Sequence, residues 1–461
     1  MMERKNAWNT YTAEQLEMLE AVAARYRCFL DAGKTERECV NWMIAEAKKQ
    51  GFVDLQQKIK TGSELQPGEK IYVNCMGKAM MLFLIGAAPL EQGMNIVGAH
   101  IDSPRLDVKQ NPLYEESDFA YLDTHYYGGI KKYQWVTLPM AIHGVVVKKD
   151  GTVVDVIIGE DDSDPVVGIS DLLIHLAAQQ MDKKASVVIE GEALNVIVGG
   201  KPLKDVEKEP VKAGVLAILQ EKYGMEEEDF VSAAVEIVPA GKTREFGLDR
   251  SMIMGYGHDD RACAFAAALA IFGQNAVPAR TCCCILADKE EIGSVGATGM
   301  QARYFENAVA ELLSLAGESR ELIVRRTLAN CKMLSCDVSA GYDPNFASVF
   351  ETKNSAFLGR GVCFNKYTGA RGKSGSNDAN PEFIAGLRKM LDDGGICFQT
   401  AELGKVDAGG GGTIAYICAL YGMDVIDSGV AVLNMHAPWE IISKADLYEA
   451  VRCYTAFMAR A

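Results

Sequence analysis

Apolar side chains recur at helical spacing near the start of the chain, at Leu16, Leu19, Val22, Ala23, Tyr26, Phe29 and Leu30. Thr12 with Gln15, and Thr35 with Glu38, have the spacing of capping boxes, so the first fifty residues are predicted to form two helices. From about Ile71 the period changes, and the short apolar runs Ile71–Val73, Met80–Ile85 and Ile96–Ala99 between turn residues predict strands. Beyond Phe246 the two periods alternate. Arg261–Phe272, Phe383–Leu391 and Thr413–Tyr421 read as helices, and Thr281–Ala287, Lys332–Cys336 and Val425–Val432 as strands. That alternation predicts an α/β fold with a mixed, largely parallel sheet flanked by helices.

The stretch between has another texture. Strand-like pieces at Val145–Val147, Val153–Ile158, Ala185–Ile189 and Leu194–Val198 surround one helix-like run, Asp171–Gln180, and acidic loops such as Gly159–Pro165 intervene. The expected organisation is therefore residues 1–108 and 244–461 as one domain, with residues 109–243 as a smaller, β-rich inserted domain. No repeat of about 20–50 residues points to a solenoid.

Composition narrows the class. The chain has 461 residues, 49% hydrophobic and 24% charged, with 47 basic against 62 acidic side chains and a net charge of −15. These proportions exclude collagen-like, disordered and disulfide-scaffold proteins. The acidic balance argues against nucleic-acid or anionic-membrane partners, and no apolar run approaches the ~18 residues of a membrane span. Met1-Met2-Glu3-Arg4-Lys5-Asn6 leads towards a charged amphipathic helix, not an apolar signal region. The 13 cysteines include no Cys-x-x-Cys pair, and Cys282-Cys283-Cys284 lie in an apolar run. They are expected to pack as small hydrophobes in a reducing, cytoplasmic compartment.

Ligands of open α/β sheets bind beyond the carboxyl ends of the strands. The residues following each apolar run therefore matter most. His100-Ile101-Asp102 follows Asn95–Ala99, Asp288-Lys289-Glu290-Glu291 follows Cys282–Ala287, Asp337 follows Met333–Cys336, and His436 follows Val430–Asn434. His258-Asp259-Asp260 precedes the Arg261–Phe272 helix. Singly, each has an ordinary explanation as a cap, a turn or a surface pair. Jointly, imidazoles and carboxylates at five strand or helix ends match a two-metal hydrolytic centre. Adjacent residues of an extended segment point opposite ways, so one of Glu290 and Glu291 can ligate while the other serves as general base. In His100-Ile101-Asp102 the same alternation lets Asp102 hold the imidazole tautomer.

His100-Ile101-Asp102-Ser103-Pro104, Asp288–Ser294, Ser335-Cys336-Asp337 and Asn434-Met435-His436 together resemble the aspartyl aminopeptidase family of co-catalytic zinc peptidases. The resemblance runs from the N-terminal helices to His436. It implies removal of single N-terminal residues from peptides, two divalent metal ions per subunit, and dimers assembled into tetrahedral dodecamers through the inserted domain. Carried over to these positions, His100 and Asp337 would hold one metal, Glu291 and His436 the other, and Asp259 would bridge. Glu290 would be the general base and Asp102 the partner of His100. Asp260 stands where the family has asparagine, which leaves open which acid bridges. Leu172-Leu173-Ile174-His175-Leu176 resembles a family segment whose histidine enters the neighbouring subunit's site, which would make His175 an oxyanion stabiliser.

For an acidic N-terminal residue, Lys366, Arg371 and Lys373 are the local cations, and the resemblance places Gly409–Gly412, Gly411 included, near the substrate. Zinc is the expected metal, although cobalt and manganese accept the same ligands. Two alternatives remain at this stage: another two-metal amide hydrolase, such as a carboxypeptidase or deacylase, and a catalytically silent assembly protein. The intact set of ligands and base weighs against the second.

Overall fold

A computed structural model describes residues 5–460. Residues 1–4 of the charged stretch expected to lead towards the first helix, and residue 461, lie outside the described residues. The chain divides into two compact units, one made of residues 1–102, 243–435 and 440–461, the other of residues 103–242 with the short segment His436–Trp439.

The first unit is built on a nine-stranded mixed sheet. Its centre is a run of parallel strands: Thr281–Ala287, Met94–His100, Lys332–Cys336 and Asp424–Gly429. Antiparallel pairing begins on either side, with Ala79–Leu84 against Thr281–Ala287 and with Val362–Asn365 against Asp424–Gly429. Alternation along these strands fills two cores. Val97, Cys284, Leu334 and Ile426 face one hydrophobic cluster, and Ile96, Cys283, Met333 and Val425 face the other. Helices Ala13–Ala32, Glu36–Lys49, His258–Phe272, Pro381–Asp393 and Lys444–Arg460 supply the first cluster. Helices Tyr304–Leu315 and Glu321–Ala329 supply the second. This is the expected helix-flanked sheet.

Both expected capping boxes form, Thr12 with Gln15 and Thr35 with Glu38. All 13 cysteines are free. Cys282, Cys283 and Cys284 are fully buried, and burial raises their thiols, Cys282 to about 12. They are packing residues. Near the C-terminus the expected Val425–Val432 strand is two, Asp424–Gly429 and Ala431–Leu433, because Val430 interrupts the pairing and the chain enters a second, five-stranded sheet.

The second unit carries a six-stranded antiparallel sheet. Here the sequence reading needs correction. Ala185–Ile189 forms turns, not a strand, and Asp171–Gln180 is not one helix but a 3₁₀ turn, Ile174–Leu176, before the four-residue helix Ala178–Met181. Leu172, Leu173, Ile174 and Leu176 are all exposed, so no apolar face is buried within this chain to stabilise a longer helix. The unit's real helix is Pro210–Tyr223.

One buried acid in the central sheet makes the fold's pH response testable. Asp427 sits beside Ser335 in register and accepts the Thr413 hydroxyl at 2.6 Å. Burial pushes its carboxyl up to about 7. Unfolding restores an ordinary carboxylate, so the unfolded chain releases this proton first. The stabilisation is complete below about pH 4 and is lost as pH rises through about 7. Asp427→Asn, which keeps the neutral shape, should unfold at a temperature close to that of the parent at pH 4 and several degrees higher at pH 8. A temperature difference that does not change with pH would contradict this.

Candidate metal centre

The parallel strands end level with one another, and that register assembles the site. His100 is the last residue of its strand and lies opposite Ala287, so Asp288 and the Glu290–Ile292 turn begin where His100 stops. Ile101 N–H continues the ladder to Ala287 O at 2.9 Å. On the other side, Asp337 follows strand Lys332–Cys336 and donates its N–H to Ser428 O at 3.0 Å. Gly429 makes this approach possible, since a Cβ there would stand 1.8 Å from Asp337 O.

Asp259 arrives from a helix start. The N-cap of helix His258–Phe272 is Gly257 at φ +72°, and Asp259 and Asp260 have non-helical backbone angles. No side chain caps this helix. The two acids thus sit in a distorted first turn without serving as its N-cap.

His100 organises what these elements deliver. Its Nδ1 lies 3.0 Å from Asp102 O, and a carbonyl only accepts, so Nδ1 carries the proton. Nε2 is the ring nitrogen turned to the acids, 3.2 Å from Asp259 Oδ1, 3.9 Å from Asp337 Oδ1 and 4.0 Å from Glu290 Oε2. Ligand atoms of His100, Glu290 and Asp337 lie within 4.8 Å of one another, and so do those of His100, Asp259 and Glu291. An imidazole nitrogen facing carboxylates at these distances is a cation site: a proton or a metal ion must lie between them. Imidazole and carboxylate together fit zinc.

Asp102 braces the arrangement. Its Oδ1 accepts Glu290 N–H and its Oδ2 accepts Glu291 N–H, both at 3.2 Å, while Oδ1 lies 3.3 Å from His100 Nδ1. One fully buried carboxylate thus sets both the imidazole and the turn that carries the glutamate pair.

The charges are correspondingly crowded. Burial opposes a charged His100, yet the carboxylates of Asp102, Asp259 and Glu290 outweigh it and hold the imidazole well above its usual range. Burial, with Asp259 beside it, raises Asp337 far above an ordinary carboxylate. Asp260, fully buried, is pushed up to about 8, mainly by burial, and its Oδ2 accepts His100 N–H at 3.4 Å. Asp259, not Asp260, shares a cluster with His100 and Glu291.

The remaining expected site residues are His436, His175 and the basic loop with its glycine segment. His436 belongs to the second unit, where Nδ1 donates to Gly129 O at 2.7 Å. His175 also belongs to that unit and is exposed. Val362–Asn365 runs antiparallel to Asp424–Gly429, so Lys366 leaves the sheet towards the end opposite to His100 and Asp337. Gly369 N–H donates to Gly411 O at 2.7 Å, which makes the basic loop and the glycine segment neighbours. Arg371 and Lys373 line an open cleft of about 370 Å³ with Tyr367, Leu403, Lys405 and Gly409. Lys373 sits 3.7 Å over the Tyr367 ring and 3.3 Å from Asp378.

One participant escaped the sequence reading. Glu440, fully buried in strand Glu440–Ser443, accepts Asp259 N–H at 3.0 Å through Oε2. A glutamate beside an isoleucine pair was the available signal.

A family model described as aminopeptidase I zinc metalloprotease (M18) matches residues 29–458. The chain belongs to the M18 family of aminopeptidases. It is 59% identical over 459 residues to "Probable M18 family aminopeptidase 1" of Clostridium acetobutylicum, covering 99% of this chain and 98% of that one. The crystal structure of an M18 aminopeptidase from Thermotoga maritima is similar throughout, with 45% identity, complete coverage of both chains and a TM-score of 0.95. The aminopeptidase 1 dodecamer of S. cerevesiae shares the fold, at 20% identity and a TM-score of 0.78 over 95% of this chain and 96% of that one. As an M18 aminopeptidase, the chain is a zinc metallohydrolase acting at peptide N-termini, which removes the silent-protein and carboxypeptidase alternatives.

For this enzyme the Asp102 geometry yields a direct test. Asp102→Asn puts an amide donor against one of the Glu290 and Glu291 N–H groups. Zinc affinity measured by equilibrium dialysis should fall ~10–100-fold, with the far-ultraviolet spectrum unchanged. Wild-type affinity in this variant would show that Asp102 does not position the ligands.

Proposed function

We propose that the cluster holds two divalent ions and that its residues divide the work as follows. On the family resemblance, His100 and Asp337 would hold one ion and Glu291 and His436 the other, with Asp259 shared between them. The observation that carries this reading is His100 itself, its Nδ1 proton committed to Asp102 and its Nε2 turned to the surrounding carboxylates. His436 enters on the resemblance of Asn434-Met435-His436, and its Nδ1–H bond to Gly129 O fixes the ring.

When bound, such ions lower the pKa of water and polarise a peptide carbonyl. The protein's own contribution is proton handling and orientation. Glu290, half-exposed and held by its backbone on Asp102, accepts a proton from the attacking water and returns it to the departing amine. The charge that develops on the carbonyl oxygen is met by His175 from a neighbouring subunit. The exposed run Leu172, Leu173, Ile174 and Leu176 around His175 fits burial against a second copy. Dimers built through this unit, assembled into a tetrahedral dodecamer, are the proposed form, in keeping with the yeast neighbour's dodecamer. Free cysteines throughout support a reducing, cytoplasmic compartment. For an acidic N-terminal residue, Lys366, Arg371 and Lys373 are the proposed cations and Gly411 the proposed backbone contact.

Glu290→Ala should retain its zinc and lose ~10²–10⁴-fold in kcat on an aminoacyl-peptide. Loss of zinc instead would make Glu290 a ligand, and full turnover would remove it from the mechanism. Cleavage of Asp-, Glu- and Leu-terminal peptides by the same preparation measures the preference. Faster turnover of the acidic pair, lost in Arg371→Ala, is expected if the basic loop reads the substrate; a Leu preference would contradict it.

A further inference from the structure

His258 immediately precedes Asp259 and is fully buried. Both of its ring nitrogens are committed. Nε2 lies 3.1 Å from Ile253 O and Nδ1 lies 2.7 Å from the Tyr26 hydroxyl. The carbonyl only accepts, so Nε2–H donates to it, and Nδ1 accepts the phenolic proton. Tyr26 thereby selects one neutral tautomer of His258. The two rings also stack, with centroids 5.6 Å apart and planes 28° from parallel.

Tyr26 comes from helix Ala13–Ala32, far in sequence from the strands that carry the site. On the other side of the turn, Arg261 donates to the carbonyls of Gly257, Tyr256 and Gly33, also fully buried. Glu440 takes the Asp259 N–H between them. The backbone under Asp259 is thus held from behind at each step, although its own angles are not helical. Such bracing has a physical purpose. The Asp259 carboxylate must be kept facing His100 while Glu291 and Asp337 repel it.

We propose that Tyr26 and His258 are a positioning pair that sets Asp259 for metal binding, so that the first helix of the chain is part of the metal centre's support. This rests on reading Asp259 as a metal ligand. Neither residue touches substrate. The pair acts by fixing the segment from which Asp259 projects.

The test is zinc affinity of the full-length protein by chelator competition, measured for Tyr26→Phe, His258→Gln, the double variant and Asp259→Asn. Unfolding temperatures of the metal-free forms are recorded alongside. Tyr26→Phe and His258→Gln should each weaken zinc binding ~10-fold, and the double variant should be no weaker than the more severe single one. Activity of Tyr26→Phe should return towards wild type at saturating zinc. Were either single variant to lower the metal-free unfolding temperature while leaving zinc affinity unchanged, the pair would be ordinary core packing and the proposal overturned. Additive losses in the double variant would also overturn it. Unchanged affinity in Asp259→Asn would instead remove Asp259 from the ligand set, and with it the premise.

Discussion

Carboxylates buried within a few ångströms of one another repel, and a fold that gathers them must hold each one in place until a cation neutralises them. Nearly every feature of the first unit can be traced to that constraint. His100, Asp259, Glu290, Glu291 and Asp337 converge as two groups that share His100, the ligand atoms of each lying within 4.8 Å of one another. The ladder between Thr281–Ala287, Met94–His100 and Lys332–Cys336 supplies the rigid edge from which most of them project. Where an acid does not come directly from a strand end, other buried groups pin its backbone: Asp102 beneath Glu290 and Glu291, Glu440 beneath Asp259.

The same constraint accounts for the protonation pattern. Asp260 adds a further acid next to Asp259; burial raises its carboxyl to about 8, and its Oδ2 accepts the His100 N–H. His258 follows a similar logic with the opposite sign. Burial pushes its imidazole down to about 3, and its two hydrogen bonds fix the ring's tautomer and place, so it contributes shape and not charge.

Much of this was legible in the amino-acid sequence, and for a physical reason. Strands buried on both faces read as unbroken apolar runs, so Thr281–Ala287 and Lys332–Cys336 stand out with their correct ends, and the polar residues just past those ends are conspicuous. The inserted unit is different. Arg105–Glu116 and Phe119–Tyr127 are strands half-exposed to solvent, and charged residues such as Lys109 and Glu115 mask their period. Apolar Leu172–Leu176 suggested a packed helix, whereas its side chains face outward and the backbone makes only a 3₁₀ turn. Glu440 and Tyr26 were illegible for a third reason. Their roles depend on contacts across 181 and 232 residues of sequence, and no local spacing encodes those.

The central claim is that this cluster is a two-ion centre on which hydrolysis depends. Metal content and peptidase activity measured together across one size-exclusion peak address it most directly. The account predicts roughly two zinc ions per chain coinciding with activity, both lost on dialysis against a chelator and both restored by zinc, as two-metal sites require. Full activity in protein stripped of metal, or activity that does not follow the metal across the peak, would contradict it.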